Sequence, residues 1–554
     1  MIPRAAGEVS RRAAGGVSRG AARGVSRQAP GRVSRGWVPG RDQRAVLHRA
    51  APGALRSPEA ADSSVLVLGG GIAGIAAAVG LAERGVPVRL VELHPQLGGR
   101  VRSWPVQQEL PDGSTAHATM SRGFHAFFRQ YYNLRGLLRR VDPTLTGLTP
   151  VADYPLVLAG GHRDSFARMP RTPPFNMAAF VAQSPSFSAA DLAKVDVAAA
   201  LELLDVDFPS TFAAYDGESA ADFLDRLRFP TQARHLALEV FARSFFALPT
   251  DFAAGELVAM FHTYFLGSSE GLLFDVPTDD YDTVLWAPLR RYLEGLGVQV
   301  RTGQRVEGLD LSDPAQVRVG VAGETLTADA VVLATDLRTS RHLLTDAPGL
   351  DDPDWRGRVA ETRDAPRFAV WRLWLDRPVA ADRPAFLGTS GYGPMDNVTV
   401  VERFEAGAQR WSAEHGGSVV EVHAYALLPE DEEQDVRRRL RVELARVYPE
   451  TADAGVLAEE WLVQDDCPLV GTGPWHRRLE VTTPDPRLLL AGDGIRCDYP
   501  VALMERAATT GFLAANGLLQ RWGLAGHDLW TAPMSSRHRV AGRARRLLLS
   551  RASA

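Results

Sequence analysis

The chain has 554 residues, of which 45% are apolar and 23% charged, the balance of ordinary globular proteins, and at ~150 residues per domain it holds three or four domain equivalents. That balance excludes wholesale disorder, and two cysteines, Cys467 and Cys497, are too few for a disulfide framework, a four-ligand zinc site or an iron–sulfur cluster, so a reducing, cytoplasmic setting is expected. The net charge of −4 conceals twelve arginines against three acids in the first sixty residues, and no apolar stretch reaches the ~18 residues of a membrane-spanning helix.

In chain order, Val-Ser-Arg recurs at positions 9, 17, 25 and 33 among glycine, alanine and arginine. Residues 1–62 are therefore predicted to be a disordered, basic low-complexity tail. No apolar segment follows Arg11-Arg12, so this is no twin-arginine signal, and the tail is read as solvated rather than as a nucleic-acid arm. Order is predicted from Ser64. Val65–Leu68 reads as a buried parallel strand, Ile75–Ala82 as an alanine-rich helix ended by Gly85, and Val88–Glu92 as a second strand. From about 125 to 290 the pattern is mostly helical, including Ser219–Arg228 and Gln232–Leu248. Strands are predicted at Gly297–Arg301, Val317–Val321, Ala330–Ala334, Phe368–Leu375 and Val419–Leu427, then a charged helix at Glu430–Tyr448. A last strand, Arg487–Ala491, leads into a helix from Pro500 to Leu519.

Gly69-x-Gly71-x-x-Gly74 lies between the first strand and helix, and Glu92 closes the second strand. In such a unit Gly69 makes the tight turn, Gly71 admits a pyrophosphate to the backbone, and Gly74 lets helix and strand pack closely. The helix N-terminus offers unpaired N–H groups to the phosphates, and Glu92 can accept hydrogen bonds from ribose hydroxyls.

Directly afterwards, Leu93-His94-Pro95-Gln96-Leu97-Gly98-Gly99-Arg100 resembles the Gly-Gly-Arg segment of the flavin amine oxidase and phytoene desaturase superfamily. The resemblance implies FAD, with Gly98, Gly99 and Arg100 along its diphosphate. Gly492-Asp493-Gly494, Met504-Glu505 and Gly511 are similar to that superfamily's closing flavin motif. There the acid, matched by Asp493, binds the ribityl chain, and the helix carrying Met504 points at the flavin pyrimidine. Gln304-Arg305-Val306 resembles the segment whose valine backbone meets adenine. Gly123-Phe124-His125-Ala126-Phe127-Phe128 through Tyr131-Tyr132-Asn133-Leu134 is similar to plant-type carotenoid desaturases. Met120–Leu138 looks most like the actinobacterial isorenieratene synthases, which are beta-carotene desaturase/methylases. Ser121-Arg122 departs from the acidic residue that plant-type enzymes usually carry there.

The implied fold is α/β. A Rossmann-type FAD-binding domain (63–104, 285–345 and 480–525) is interleaved with an α+β substrate domain (105–284 and 346–479), and a basic C-terminal tail covers 526–554. The implied activity is FAD-dependent conversion of beta-rings to aromatic phi-rings. The implied partners are an apolar carotenoid, peripheral contact with the cytoplasmic membrane and an unidentified electron acceptor, with no nucleic acid and no metal. His125, Phe127 and Phe128 are substrate-pocket candidates, and no side chain stands out as the catalyst. Two alternatives remain: an acyclic carotenoid desaturase or isomerase, and a non-catalytic lipid binder, since the Rab GDP-dissociation inhibitors share this fold.

Overall fold

A computed structural model describes residues 42–167, 169–173, 175–187, 193–228, 234 and 245–536. The predicted helix Gln232–Leu248 and the basic C-terminal segment lie largely outside these residues.

The first strand, Val65–Leu68, has no exposed residue. It sits at the centre of a five-stranded parallel sheet in the order Gln299–Arg301, Val88–Val91, Val65–Leu68, Ala330–Leu333, Leu488–Leu490. Strands distant in sequence are thereby joined edge to edge, as parallel pairing with crossover connections permits. The helix Ile72–Ala82 starts three residues before the predicted position, because Gly71 is its N-cap. Every residue of it is buried, which is why the helix is alanine-rich all round rather than amphipathic. It packs on the helix Leu503–Arg521 through small residues: a side chain at Gly511 would meet the Ala73 carbonyl at 2.2 Å, and one at Gly80 would meet Ala515 at 2.8 Å.

The second large sheet has seven strands, in the order Val456–Gln464, Arg367–Leu375, Ser418–Leu427, Asn397–Val400, Phe386–Ser390, Leu156–Leu158, His162–Asp164. Its long edge strand Val456–Gln464 sets Trp461 opposite Trp371 of its neighbour, and the sheet's own core includes Leu373, Val420 and Val422, all 0% exposed. The helix Glu433–Val447 lays Val436, Leu440 and Leu444 against this sheet, the i, i+4, i+8 spacing of one helical face.

Two expectations are corrected. Residues 42–62 are not a free tail. Val46–His48 pairs antiparallel with Leu529–Thr531, His48 Nε2 lies 2.8 Å from Thr531 Oγ1, and buried Asp42 accepts the Ser269 N–H at 2.7 Å. The same pairing shows that residues from 526 onward are not all tail. A three-residue strand inside sixty residues of arginine and glycine leaves no compositional trace. The region 125–290 is also less helical than predicted. Phe127–Phe128, Phe274–Pro277 and Leu148–Pro150 form a small sheet, and Leu156–Leu158 and His162–Asp164 join the large one. Strands of two to four residues are too short for period-two alternation to register.

Candidate functional site

A cavity of about 410 Å³ runs from the C-terminal ends of the parallel strands to the face of the mixed sheet. That is where open α/β sheets place their ligands. At one end the chain turns at Gly69, where a φ of +106° and the 2.4 Å that would separate a Cβ from the Ala334 carbonyl oxygen exclude a side chain. Gly74 does not reach the cavity. A Cβ there would lie 1.8 Å from the Gly69 carbonyl, so its role is the close packing of helix on turn. Glu92 is 6% exposed and accepts the Gly70 N–H (2.7 Å) and the His94 N–H (2.8 Å). Burial pushes its carboxyl above the ordinary value against those two donors. Each oxygen keeps a second lone pair, so Glu92 braces the turn and still faces the cavity.

The second glycine pair presses on the first. The Gly98 N–H donates to the Gly70 carbonyl at 2.8 Å, and a Cβ on Gly99 would lie 3.0 Å from Gly71 Cα. Gly98 has φ +106° and abuts Trp286, whose indole N–H donates to the Val101 carbonyl at 2.5 Å. The result is a wall of bare backbone. Arg100 and Asp493 form an ion pair across this end, joining segments that are 393 residues apart.

The helix Leu503–Arg521 points its N-terminus at the cavity, with Met504 among the lining residues, and no side chain caps it. Arg506 in its first turn donates to the Val501 carbonyl (2.9 Å) and to Glu256 (2.5 Å), and Glu256 also receives Arg478 at 2.9 Å. Glu505 turns away and accepts the N–H groups of Asn133 (2.8 Å) and Leu134 (3.0 Å) at the start of the helix Tyr132–Leu138. Asn133 in turn donates to Thr509 and to the Trp530 carbonyl and accepts the Trp530 N–H. Asn133 and Leu134 of the Tyr-x-Asn-Leu motif thus clamp three segments together, while its Tyr131 lines the cavity.

Burial pushes the Glu505 carboxyl up to about 8, outweighing its backbone donors. Between about 4.5 and about 8 the native state holds a proton that the unfolded state has released. Stability should fall as pH rises through that window, by up to ~1.4 kcal/mol per pH unit. Glu505→Gln should flatten this slope, which thermal unfolding from pH 5 to 8 would record. Parallel slopes for both proteins would contradict the assignment.

The other end of the cavity is aromatic. Phe124 stacks on Phe386 (centroids 4.5 Å), Phe128 meets Tyr264 edge-on (4.7 Å), and Tyr154 stacks on Phe166 (4.7 Å). The Tyr131 and Tyr264 hydroxyls satisfy each other at 2.7 Å, so their polar tips do not interrupt the apolar wall. His125 lies at the junction. Its Nδ1 is 2.8 Å from the Gly123 carbonyl, and burial pushes its imidazole down to about 4.

Gly69, Gly71, Glu92, Gly98, Gly99, Arg100, Val306, Gly492, Asp493 and Met504 all line this one cavity, as do His125 and Phe128. Phe127 does not: it is 0% exposed and belongs to the core, because neighbouring strand residues face opposite ways. Sequence reasoning missed two groups. Arg122, noted only as a departure from related sequences, lines the cavity and forms a bidentate pair with Asp466 beside Cys467. His423, Tyr425 and Asn397 line the mixed-sheet side. Their signal was present as Glu421-x-His423-x-Tyr425, polar residues at period two within an apolar strand.

A glycine turn feeding an uncapped helix, opening on a cavity with a long aromatic arm, defines an enzyme that sets a dinucleotide cofactor against a non-polar molecule. The chain belongs to the flavin-containing amine oxidoreductase family, whose model matches residues 72–519. It is 54% identical to the carotenoid phi-ring synthase of Streptomyces griseus over 92% of this chain and 98% of that one. It is 27% identical to the carotenoid phi-ring synthase of Chlorobaculum tepidum over 85% and 90% respectively. Among solved structures, cyclohexylamine oxidase from Brevibacterium oxydans superposes with a TM-score of 0.58 at 15% identity, over 83% of this chain and 99% of that one, a likeness of fold.

The residues present fit FAD. The facing glycines leave backbone N–H groups in a cradle that any side chain would fill. The buried Gln304 Oε1, in the wall beside Val306, has no hydrogen-bond partner among the described residues.

Proposed function

We propose that the chain is an FAD-dependent carotenoid oxidoreductase that converts the beta-rings of beta-carotene to aromatic phi-rings, giving isorenieratene, by desaturation with migration of a methyl group. The observation that carries this is 54% identity to a phi-ring synthase across nearly the whole chain, in a molecule whose cavity joins a nucleotide cradle to an aromatic arm.

In this reading segments 63–104, 285–345 and 480–525 hold the cofactor, and 105–284 with 346–479 hold the substrate. Gly69, Gly71, Gly98, Gly99 and Arg100 take the diphosphate, Glu92 the ribose, Val306 the adenine, Asp493 the ribityl chain, and the helix carrying Met504 the flavin pyrimidine. When bound, FAD supplies the hydride acceptor. Phe124, Phe128, Tyr154 and Phe386 bind the polyene and exclude water, so that a ring made electron-poor rearranges instead of being hydrated. No described helix is long and apolar enough to cross a membrane. Peripheral contact with the cytoplasmic membrane is supported by Phe175 (63% exposed) and Val197 (61% exposed) on the helices Phe175–Gln183 and Val197–Glu202, together with the membrane-dwelling character of the substrate.

Anaerobic mixing of the purified yellow protein with micellar beta-carotene or lycopene tests the substrate. Beta-carotene should bleach the flavin absorption and lycopene should not. The reverse result would move the substrate to the acyclic carotenoids, and a colourless protein would favour the lipid-binding alternative.

A further inference from the structure

After Ser418 the strand Ser418–Leu427 is apolar except at Glu421, His423 and Tyr425, which period two places on one face. These three form a hydrogen-bonded row. Arg372 donates to Glu421 Oε2 from Nη2 (2.7 Å) and Nε (2.9 Å). His423 Nε2 lies 2.7 Å from Glu421 Oε1, and its Nδ1 lies 2.6 Å from the Tyr425 hydroxyl. Asn397 Nδ2 donates to that hydroxyl at 2.9 Å.

Glu421 and His423 are each 1% exposed, while His423, Tyr425 and Asn397 face the cavity. Asn397 Oδ1 is buried with no partner among the described residues. Phe246 packs edge-on to Tyr425 at 5.0 Å, so the row ends in an aromatic slot. The Gly123 of the Gly-x-His-x-Phe-Phe motif lies against it: a Cβ there would come within 2.5 Å of His423 Cε1. Burying such a row is costly unless every member is paired, and a slot that only held a polyene would have no use for it.

We propose that Tyr425 is the catalytic proton acceptor of ring aromatisation and that His423, positioned by Glu421, takes the proton onward. This rests on the reading of the preceding subsection. An aromatising ring must shed protons as well as hydrides. A ring C–H bond breaks, and its electron pair closes the new double bond, discharging the positive charge left when hydride goes to the flavin. The proton joins the Tyr425 oxygen as the phenol's own proton passes to His423 Nδ1. The imidazolium so formed rests against the Glu421 carboxylate, and the proton returns by the same path after the product leaves.

The direction follows from the donors. Carboxylate Glu421 only accepts, so Nε2 carries hydrogen. With hydrogen on Nε2 alone, Nδ1 is an acceptor and Tyr425 donates to it. Burial would raise Glu421, but the Arg372 guanidinium and the His423 ring hold it below the ordinary carboxylate range, and Arg372 donates two hydrogen bonds to the carboxylate that faces the imidazole. Burial pushes Tyr425 up, which makes it a relay and not a standing phenolate. No carboxylate hydrogen-bonds His125 among the described residues, so His125 lacks this support.

The test uses the full-length, flavin-loaded protein and its Tyr425→Phe and His423→Gln variants with beta-carotene. With flavin content unchanged, both should lose about 10²- to 10⁴-fold in aromatic product. A solvent deuterium isotope effect on turnover should be present in the parent and absent from the slow turnover of Tyr425→Phe, which a packing role would not produce. Should Tyr425→Phe fail to load flavin, the product yield and isotope effect of His423→Gln decide. Turnover within about threefold of the parent, with the isotope effect intact, overturns the relay. A parent that leaves beta-carotene untouched overturns the proposed function, and the relay with it.

Discussion

Gly71→Trp is expected to give a folded but colourless protein that makes no aromatic carotenoid. Gly71 caps the helix Ile72–Ala82 and lines the cavity. The nearest atom to a Cβ placed there is Gly99 Cα at 3.7 Å, so the backbone tolerates the first carbon. The remainder of an indole would then fill the gap between the two glycine segments, where the proposed cofactor site sets the phosphates against the helix N–H groups. A loss of flavin affinity of at least ~100-fold, ~2.7 kcal/mol, should appear as absent visible absorption at unchanged far-ultraviolet circular dichroism. Gly357→Trp, where nothing lies within 4 Å of the added carbon, should stay yellow. A yellow, active Gly71→Trp protein would remove the diphosphate from this turn.

Glu256→Ala should be strongly destabilising. Glu256 is 2% exposed and is shared by Arg506 (2.5 Å) and Arg478 (2.9 Å). Removing one partner of a buried ionic cluster leaves uncompensated charge, at a cost of ~3–5 kcal/mol. Here two guanidinium groups lose their carboxylate together. Because Arg506 also holds the Val501 carbonyl, the loop leading into the helix Leu503–Arg521 should loosen, and flavin should be released at lower denaturant than in the parent. Denaturant titration followed by both flavin and tryptophan fluorescence would record both effects. An unchanged midpoint would show that the cluster carries no net stability.

The glycine-rich end of the cavity was legible in the sequence because its signals are local. A buried strand, a glycine turn and an acid at the next strand end all fall within Val65–Glu92, a span short enough to read as one unit. The rest was not. The hairpin Ser103–Glu109 with Thr115–Ser121 reads as mixed polar sequence. The strand Val456–Gln464 hides behind Glu459 and Glu460, which face solvent or pair with the helix before it. Phe127 and Phe128 look equivalent on paper, and only the register against Phe274–Pro277 sends one to the core and the other to the cavity. Glu421, His423 and Tyr425 gain their meaning from Arg372, Asn397 and Gly123, which other strands and a loop bring to them.

The most direct test of the central claim is the carotenoid profile of beta-carotene-accumulating cells expressing the full chain, separated by chromatography and read by absorption spectrum. The full chain is needed because residues 46–48 belong to the folded body. New pigments with aromatic end groups, absent when Gly71→Trp is expressed instead, are the predicted result. Unchanged beta-carotene in cells that contain the yellow protein would contradict ring aromatisation, leaving a flavoenzyme of this family with a different substrate.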